Sequence, residues 1–129
     1  MSEYTSDQLF EIEEGKRESL NTSIYENPDF LAIQMRQIRL ALSAGLDVEP
    51  YVKPEYDWMQ MEEIFTGLEE GVDVSLFADP SLPYEKMHQV RMGLTRGIDI
   101  SDSTRYSAGV LKQLRKSREE KIDITKYIE

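Results

Sequence analysis

A block of about 26 residues recurs along this chain. Residues 34–54 read QMRQIRLALSAGLDVEPYVKP, 60–80 read QMEEIFTGLEEGVDVSLFADP and 86–100 read KMHQVRMGLTRGIDI. Two worn copies flank them, QLFEIEEGKRESLNTSIYENP at 8–28 and, after a shift of 24, VLKQLRKSREEKIDI at 110–124. Worn outer copies are the mark of capping units in a repeat array. The expectation is a single domain over 1–129, with copies near 5–30, 31–56, 57–82, 83–106 and 107–129.

The third copy shows how one unit folds. Met61, Ile64, Leu68 and Val72 fall at helical spacing and form an apolar stripe. Asp57 and Gln60 have the spacing of a capping box, as do Thr5 and Gln8, and Ser107 takes the cap position in the last copy. Gly71 ends the helix where a left-handed residue is needed, and Gly45 and Gly97 match it. Ser75 and Pro50 then suit a second, very short helical turn, which Pro28, Pro54 and Pro80 stop. The unit is a helix, a tight corner and a short turn. The fold class is therefore all-α, a compact array of about five such units, with helices near 5–18, 31–44, 57–70, 83–96 and 107–120. Ile38, Leu42, Met61, Ile64, Leu68, Met87, Val90 and Leu94 are the expected central core.

Other positions recur as well. Gly15, Ala41, Gly67, Gly93 and Ser117 keep a small residue inside each helix, which points to close approach by another helix. Tyr25, Tyr51, Phe77 and Tyr127 repeat in the short turns, and Phe30, Tyr56 and Tyr106 near the next helix start; such a ladder reads as core between units. Asp47, Asp73, Asp99 and Asp123 stand at the corners, where a carboxylate accepts from turn backbone N–H groups. Trp58 reads as an edge of the core or as a partner anchor, tryptophan being enriched in binding hot spots.

No constellation for catalysis emerges. His88 is the one histidine and is expected on an exposed helix surface, without the partners of a triad. The absence of cysteine excludes disulfides and thiolate sites, and the chain lacks the ligands of a zinc site or the spacing of a calcium loop. No apolar run reaches membrane-spanning length and no signal peptide opens the chain, so a cytoplasmic, non-membrane protein with no metal and no cofactor is expected.

The charge of −10 is uneven. Residues 55–80 hold eight acids and no base, whereas 81–129 hold ten bases and seven acids. Glu62, Glu63, Glu69 and Glu70 make two acidic pairs seven residues apart, about two helical turns. With Trp58 and Phe65 they are the candidate partner-binding residues. Arg105, Lys112, Arg115, Lys116, Arg118 and Lys121 make the last helix basic, a possible phosphate contact or a polar cap of the array.

The string formed by Gln60, Met61, Ile64, Gly67, Leu68, Gly71, Asp73, Val74, Ser75, Ala78, Asp79 and Pro80 resembles a helical repeat of uncharacterised proteins of gut Firmicutes, many of them phage-borne or mobile-element-borne. Gln34, Met35, Ile38, Arg39, Leu42, Gly45, Asp47 and Val48 match it, and Met87, Arg91, Gly93, Leu94, Gly97, Asp99 and Ser101 match again. Residues 30–101 carry the likeness well and the ends weakly. The resemblance implies no established activity. Phe65 replaces the usual arginine, which marks an individualised surface in copy three. The leading expectation is a non-catalytic protein that binds another protein, in its specific form an inhibitor of a nucleic-acid-binding host defence protein of the anti-CRISPR or anti-restriction type. An acidic surface can occupy a site built for phosphates. The alternatives are a structural or regulatory scaffold and a nucleic-acid binder acting through the basic last helix, direct nucleic-acid binding being disfavoured by the overall acidity.

Overall fold

Residues 3–120 are described by a computed structural model. Among them each copy supplies one helix: α1 (Ser6–Arg17), α2 (Ala32–Ser43), α3 (Trp58–Glu70), α4 (Tyr84–Leu94) and α5 (Ala108–Glu119). One-turn 3-10 helices follow the first four, at Thr22–Ile24, Glu49–Tyr51, Val74–Leu76 and Ser101–Ser103. No strand occurs among the described residues, and the fold is all-α. The expected helices agree within two residues at each end. Lys121, Asp123 and Tyr127 lie outside the described residues. Each helix packs chiefly on its neighbours in sequence, α1 on α2 through to α4 on α5, the pattern of a linear array.

The core takes the same two positions from successive helices. Met35, Met61, Met87 and Leu111 form one row, and Ile12, Ile38, Ile64, Val90 and Leu114 the other, all buried. Leu42, Leu68 and Leu94 depart from expectation, being only partly buried against this core. The reason lies in the short turns. Tyr25, Val48, Val74, Phe77 and Ile100 are buried beneath the last helical turns, so the leucines close the rim. Phe30 and Tyr56 are buried as the aromatic ladder requires, while Tyr51 and Tyr106 pack at its edge.

The recurring small residue has a different cause from the one expected. A Cβ on Gly15 would stand 2.1 Å from Tyr25 Oη and 2.6 Å from Thr22 Cγ2. On Gly67 it would meet Val74 Cγ1 at 2.7 Å and Phe77 Cζ at 3.0 Å, and on Gly93 the Ile98 carbonyl oxygen at 2.6 Å. At these three glycines the closest approach is therefore made by the unit's own corner and short turn.

The corners are left-handed at Gly45, Gly71 and Gly97, and at Ser19 in the first unit (φ 62°). At each, two backbone bonds close the helix, such as Val72 N to Gly67 O and Gly71 N to Leu68 O, the Schellman pattern. Asp73, rather than Ser75, caps the short turn that follows, accepting from Ser75 N at 3.1 Å.

Glutamine at the third helical position joins one unit to the next. Gln60 Oε1 accepts from Asp57 N at 2.9 Å, closing the expected capping box. Its Nε2 donates to the carbonyls of Pro80 and Leu82, both at 2.9 Å. Gln8 reaches Pro28 and Phe30, and Gln34 reaches Pro54 and Tyr56, in the same way. All three are buried, so each amide fixes its own helix start to the segment that leads into the next helix. In the fourth unit Lys86 replaces glutamine and donates from Nζ to Thr104 O at 2.9 Å.

Candidate functional site

The site grows out of a second periodicity, two units long. In α2, Arg39 donates to Glu11 at 2.9 Å and to Glu18 at 3.0 Å, clamping α1 to α2. In α4, Arg91 donates to Glu63 at 2.8 Å and to Glu70 at 2.7 Å, clamping α3 to α4. The two clamps are 52 residues apart in every member. Burial opposes the charge on Arg91, but its bonds to Glu63 and Glu70 outweigh that and hold its pKa above the ordinary guanidinium value. Arg39 is raised in the same way by Glu11 and Glu18.

Between α2 and α3 the clamp is missing. Phe65 holds the arginine position there, and Gln37 and Ala44 hold the positions of the two acids. All three positions differ from those of the clamps, and Phe65 is buried, 5% exposed. Phe65, a partner-binding candidate on the individualised surface of copy three, is thus part of the floor of a seam. An open cleft of about 220 Å³ lies over this seam, lined by Gln37, Leu40, Ala44, Phe65, Glu62 and Glu69 among others.

The four candidate acids separate into two roles. Glu63 and Glu70 turn toward α4 and are taken by Arg91, and His88 Nδ1 lies 3.0 Å from Glu63 Oε1. His88 thus borders the clamp from the helix surface, its side chain 42% exposed. Glu62 and Glu69 are exposed, line the cleft, and make no ion pair or hydrogen bond with a described residue. Trp58, the first residue of α3, is half-buried and lines neither this cleft nor the one described next.

A second cleft, about 240 Å³, lies on the other side of α2, against α1. Asp7, Phe10, Ile33 and Arg36 help to line it. Phe10 is 57% exposed, Ile33 42% and Leu40 45%. Ile33, Arg36, Gln37, Leu40 and Ala44 share one face of α2 by their helical spacing, so the two clefts flank a single ridge. Sequence reasoning missed Phe10, Ile33 and Leu40. The signal was clear at Phe10, which stands where the next three units have Arg36, Glu62 and His88, and weaker at Ile33 and Leu40, whose positions Met59 and Met92 also occupy.

The basic last helix is largely engaged within the chain. Arg115 is buried and donates to Gln89 at 3.1 Å and Glu119 at 2.9 Å. Arg118 donates to the Asp99 carbonyl at 3.0 Å, and Arg105 lies over the Tyr106 ring at 4.4 Å. Lys112 and Lys116 remain exposed. Among the described residues Lys112 and Lys116 are the members of the patch whose side chains have no partner in the chain. A wider hollow near Pro83, Glu85 and Lys86 has its lysine held by Thr104 O.

Among the described residues no group of three or more histidines, cysteines or carboxylates is placed to hold a metal ion, and no helix is long and apolar enough to cross a membrane. Comparison of the chain with protein-family models, curated proteins and solved structures gives no match.

Proposed function

We propose that this chain is a non-catalytic binding module that engages another protein through the face formed by α1, α2 and α3. One observation carries this reading. Phe10, Ile33 and Leu40 are exposed on one side of an array whose next three units carry Arg36, Glu62 and His88 at the Phe10 position, and the unpaired acids Asp7, Glu62 and Glu69 border them. Exposed large side chains gathered in this way mark contact sites. The specific form proposed is an inhibitor of a host nucleic-acid-binding protein, carried by a mobile element and acting in the bacterial cytoplasm. Its support is the net charge of −10 and the acids left free on this face.

The test compares capture from a bacterial lysate by the native chain, by Leu40→Asp, by Glu62→Lys with Glu69→Lys, and by Lys112→Glu with Lys116→Glu. The first two variants are expected to lose the captured protein and the third to keep it. Retention by all three overturns the assignment of the face. A gel shift lost in the Lys112 and Lys116 variant would instead favour direct nucleic-acid binding.

A further inference from the structure

We infer that the partner element seated on this face is a basic amphipathic helix, with its apolar rows in the two clefts and its cationic edges on the flanking acids. The inference deepens the proposed binding face by naming what fits it.

The shape argues for a helix. Ile33 and Leu40 lie seven residues apart, about 10.5 Å along α2, and make a ridge with a cleft on each side. A helix presents neighbouring rows of side chains with a groove between them, so one row enters each cleft while the ridge fills the groove. An extended peptide presents one row to a surface and fills one cleft only.

The charges argue for basic edges. Asp7 lies on the α1 side, and Glu62 and Glu69 on the α3 side, outside the apolar centre. None of the three is neutralised within the described residues, unlike Glu11, Glu18, Glu63 and Glu70. A helix whose leucine-rich face is edged by lysine or arginine meets all three. Arg36 stands exposed on the ridge itself and calls for one acid, or the carbonyl end of the helix, between the partner's apolar positions. Nucleic acid is excluded from this face by its acids. A second copy of this chain offers no such helix in α5, which buries Leu111 and Leu114 and turns Lys112, Gln113 and Lys116 outward.

The probe is a synthetic peptide of about 18 residues, five turns of helix, with leucines at helical spacing and lysines along both edges. Its partners in the test are a scrambled peptide of equal composition and a version with glutamate for lysine. Binding to the full chain is followed by calorimetry and by the amide spectrum. The expected result is saturable binding that perturbs α1–α3, falls at least tenfold for the scrambled or glutamate peptides, and weakens at roughly 0.5 M salt. Leu40→Ser, and separately Glu62→Lys with Glu69→Lys, should each weaken it at least tenfold while leaving the circular dichroism unchanged.

Equal binding of the scrambled peptide, no binding at about millimolar peptide, or no effect of Leu40→Ser overturns the inference. So does a dimer of the native chain that Leu40→Ser dissociates, which would give this face to a second copy. If the peptide fails but Leu40→Asp still loses the captured lysate protein, only the helical partner is wrong. If both fail, the face itself is wrong.

Discussion

The side-chain amide of Gln60 donates to the Leu82 carbonyl twenty-two residues ahead, across the whole of its own repeat. The same amide group holds Pro80 O and accepts from Asp57 N. Gln60→Leu keeps the volume but removes partners from two carbonyls and one N–H. We expect a loss of about 2–4 kcal/mol, since each unmet group costs roughly 1–3 kcal/mol and some will find water. Urea unfolding measures it, and a loss under about 0.5 kcal/mol would show that the joint is not structural.

The seam between α2 and α3 supports a reconstruction. Phe65→Arg alone should destabilise by about 2–4 kcal/mol, because it empties apolar floor and faces Gln37 and Ala44 with a guanidinium. Adding Gln37→Glu and Ala44→Glu recreates the arrangement of Glu63, Glu70 and Arg91 one seam earlier. The triple variant should regain at least about 1 kcal/mol over Phe65→Arg, read from a mutant cycle. Strict additivity would mean that the three positions do not act as a unit.

Ser19 occupies the corner that Gly45, Gly71 and Gly97 occupy in later units, with φ at 62°. A side chain in the left-handed region costs roughly 1–2 kcal/mol, part of which glycine returns through greater freedom of the unfolded chain. Ser19→Gly should therefore stabilise by up to about 1 kcal/mol. A destabilised variant in thermal unfolding would mean that Ser19 is held there by a contact that outweighs the strain.

Much of the array was legible because it depends on short-range rules. The stripe of Met61 and Ile64, the capping box of Asp57 and Gln60 and the corner at Gly71 each lie within a few residues. What could not be read depends on partners far along the chain. Gln60 shows its capping spacing in sequence but not its bonds to Pro80 and Leu82. The acidic pairs look equivalent until Arg91 takes Glu63 and Glu70 and leaves Glu62 and Glu69. Comparing copies at a spacing of two units would have exposed that clamp, because Glu11, Glu18 and Arg39 match Glu63, Glu70 and Arg91. The small residue in each helix was legible as a constraint but not as to what imposes it.

That constraint gives a test of its own. Gly67→Ala places a methyl against Val74 and Phe77 at 2.7 and 3.0 Å. Alanine favours the helix by roughly 1 kcal/mol over glycine, yet overpacking costs about 1–3 kcal/mol. Net destabilisation is expected, and Val74→Ala should relieve most of the clash in the Gly67→Ala background. Failure of that rescue would direct attention away from the short turn and back to the neighbouring helix.

The last prediction concerns pH. Glu18 is held below the ordinary carboxylate value of 4.5 by its bonds from Ser43 and Arg39. Glu119 is lowered first by its bond from Arg96, and Asp99 by Ser101. A depressed pKa means that the unfolded chain binds the proton more readily. This stabilisation is present above the unfolded values and is lost as pH falls through the folded ones. Tyr25 works at the other end. Its buried hydroxyl donates to Glu11 O at 2.7 Å, and burial pushes its pKa from 10.0 to about 12. Here the folded chain holds the proton more tightly, so the stabilisation is complete below the unfolded pKa and is lost as pH rises from 10.0 toward about 12. Tyr25→Phe should cost about 1 kcal/mol at neutral pH for the lost bond. It should also become relatively more stable than the native chain at about pH 11, where the native phenol is under pressure to ionise. Urea midpoints of the two proteins at both pH values decide the matter: a constant difference between them would show that Tyr25 does not titrate with unfolding.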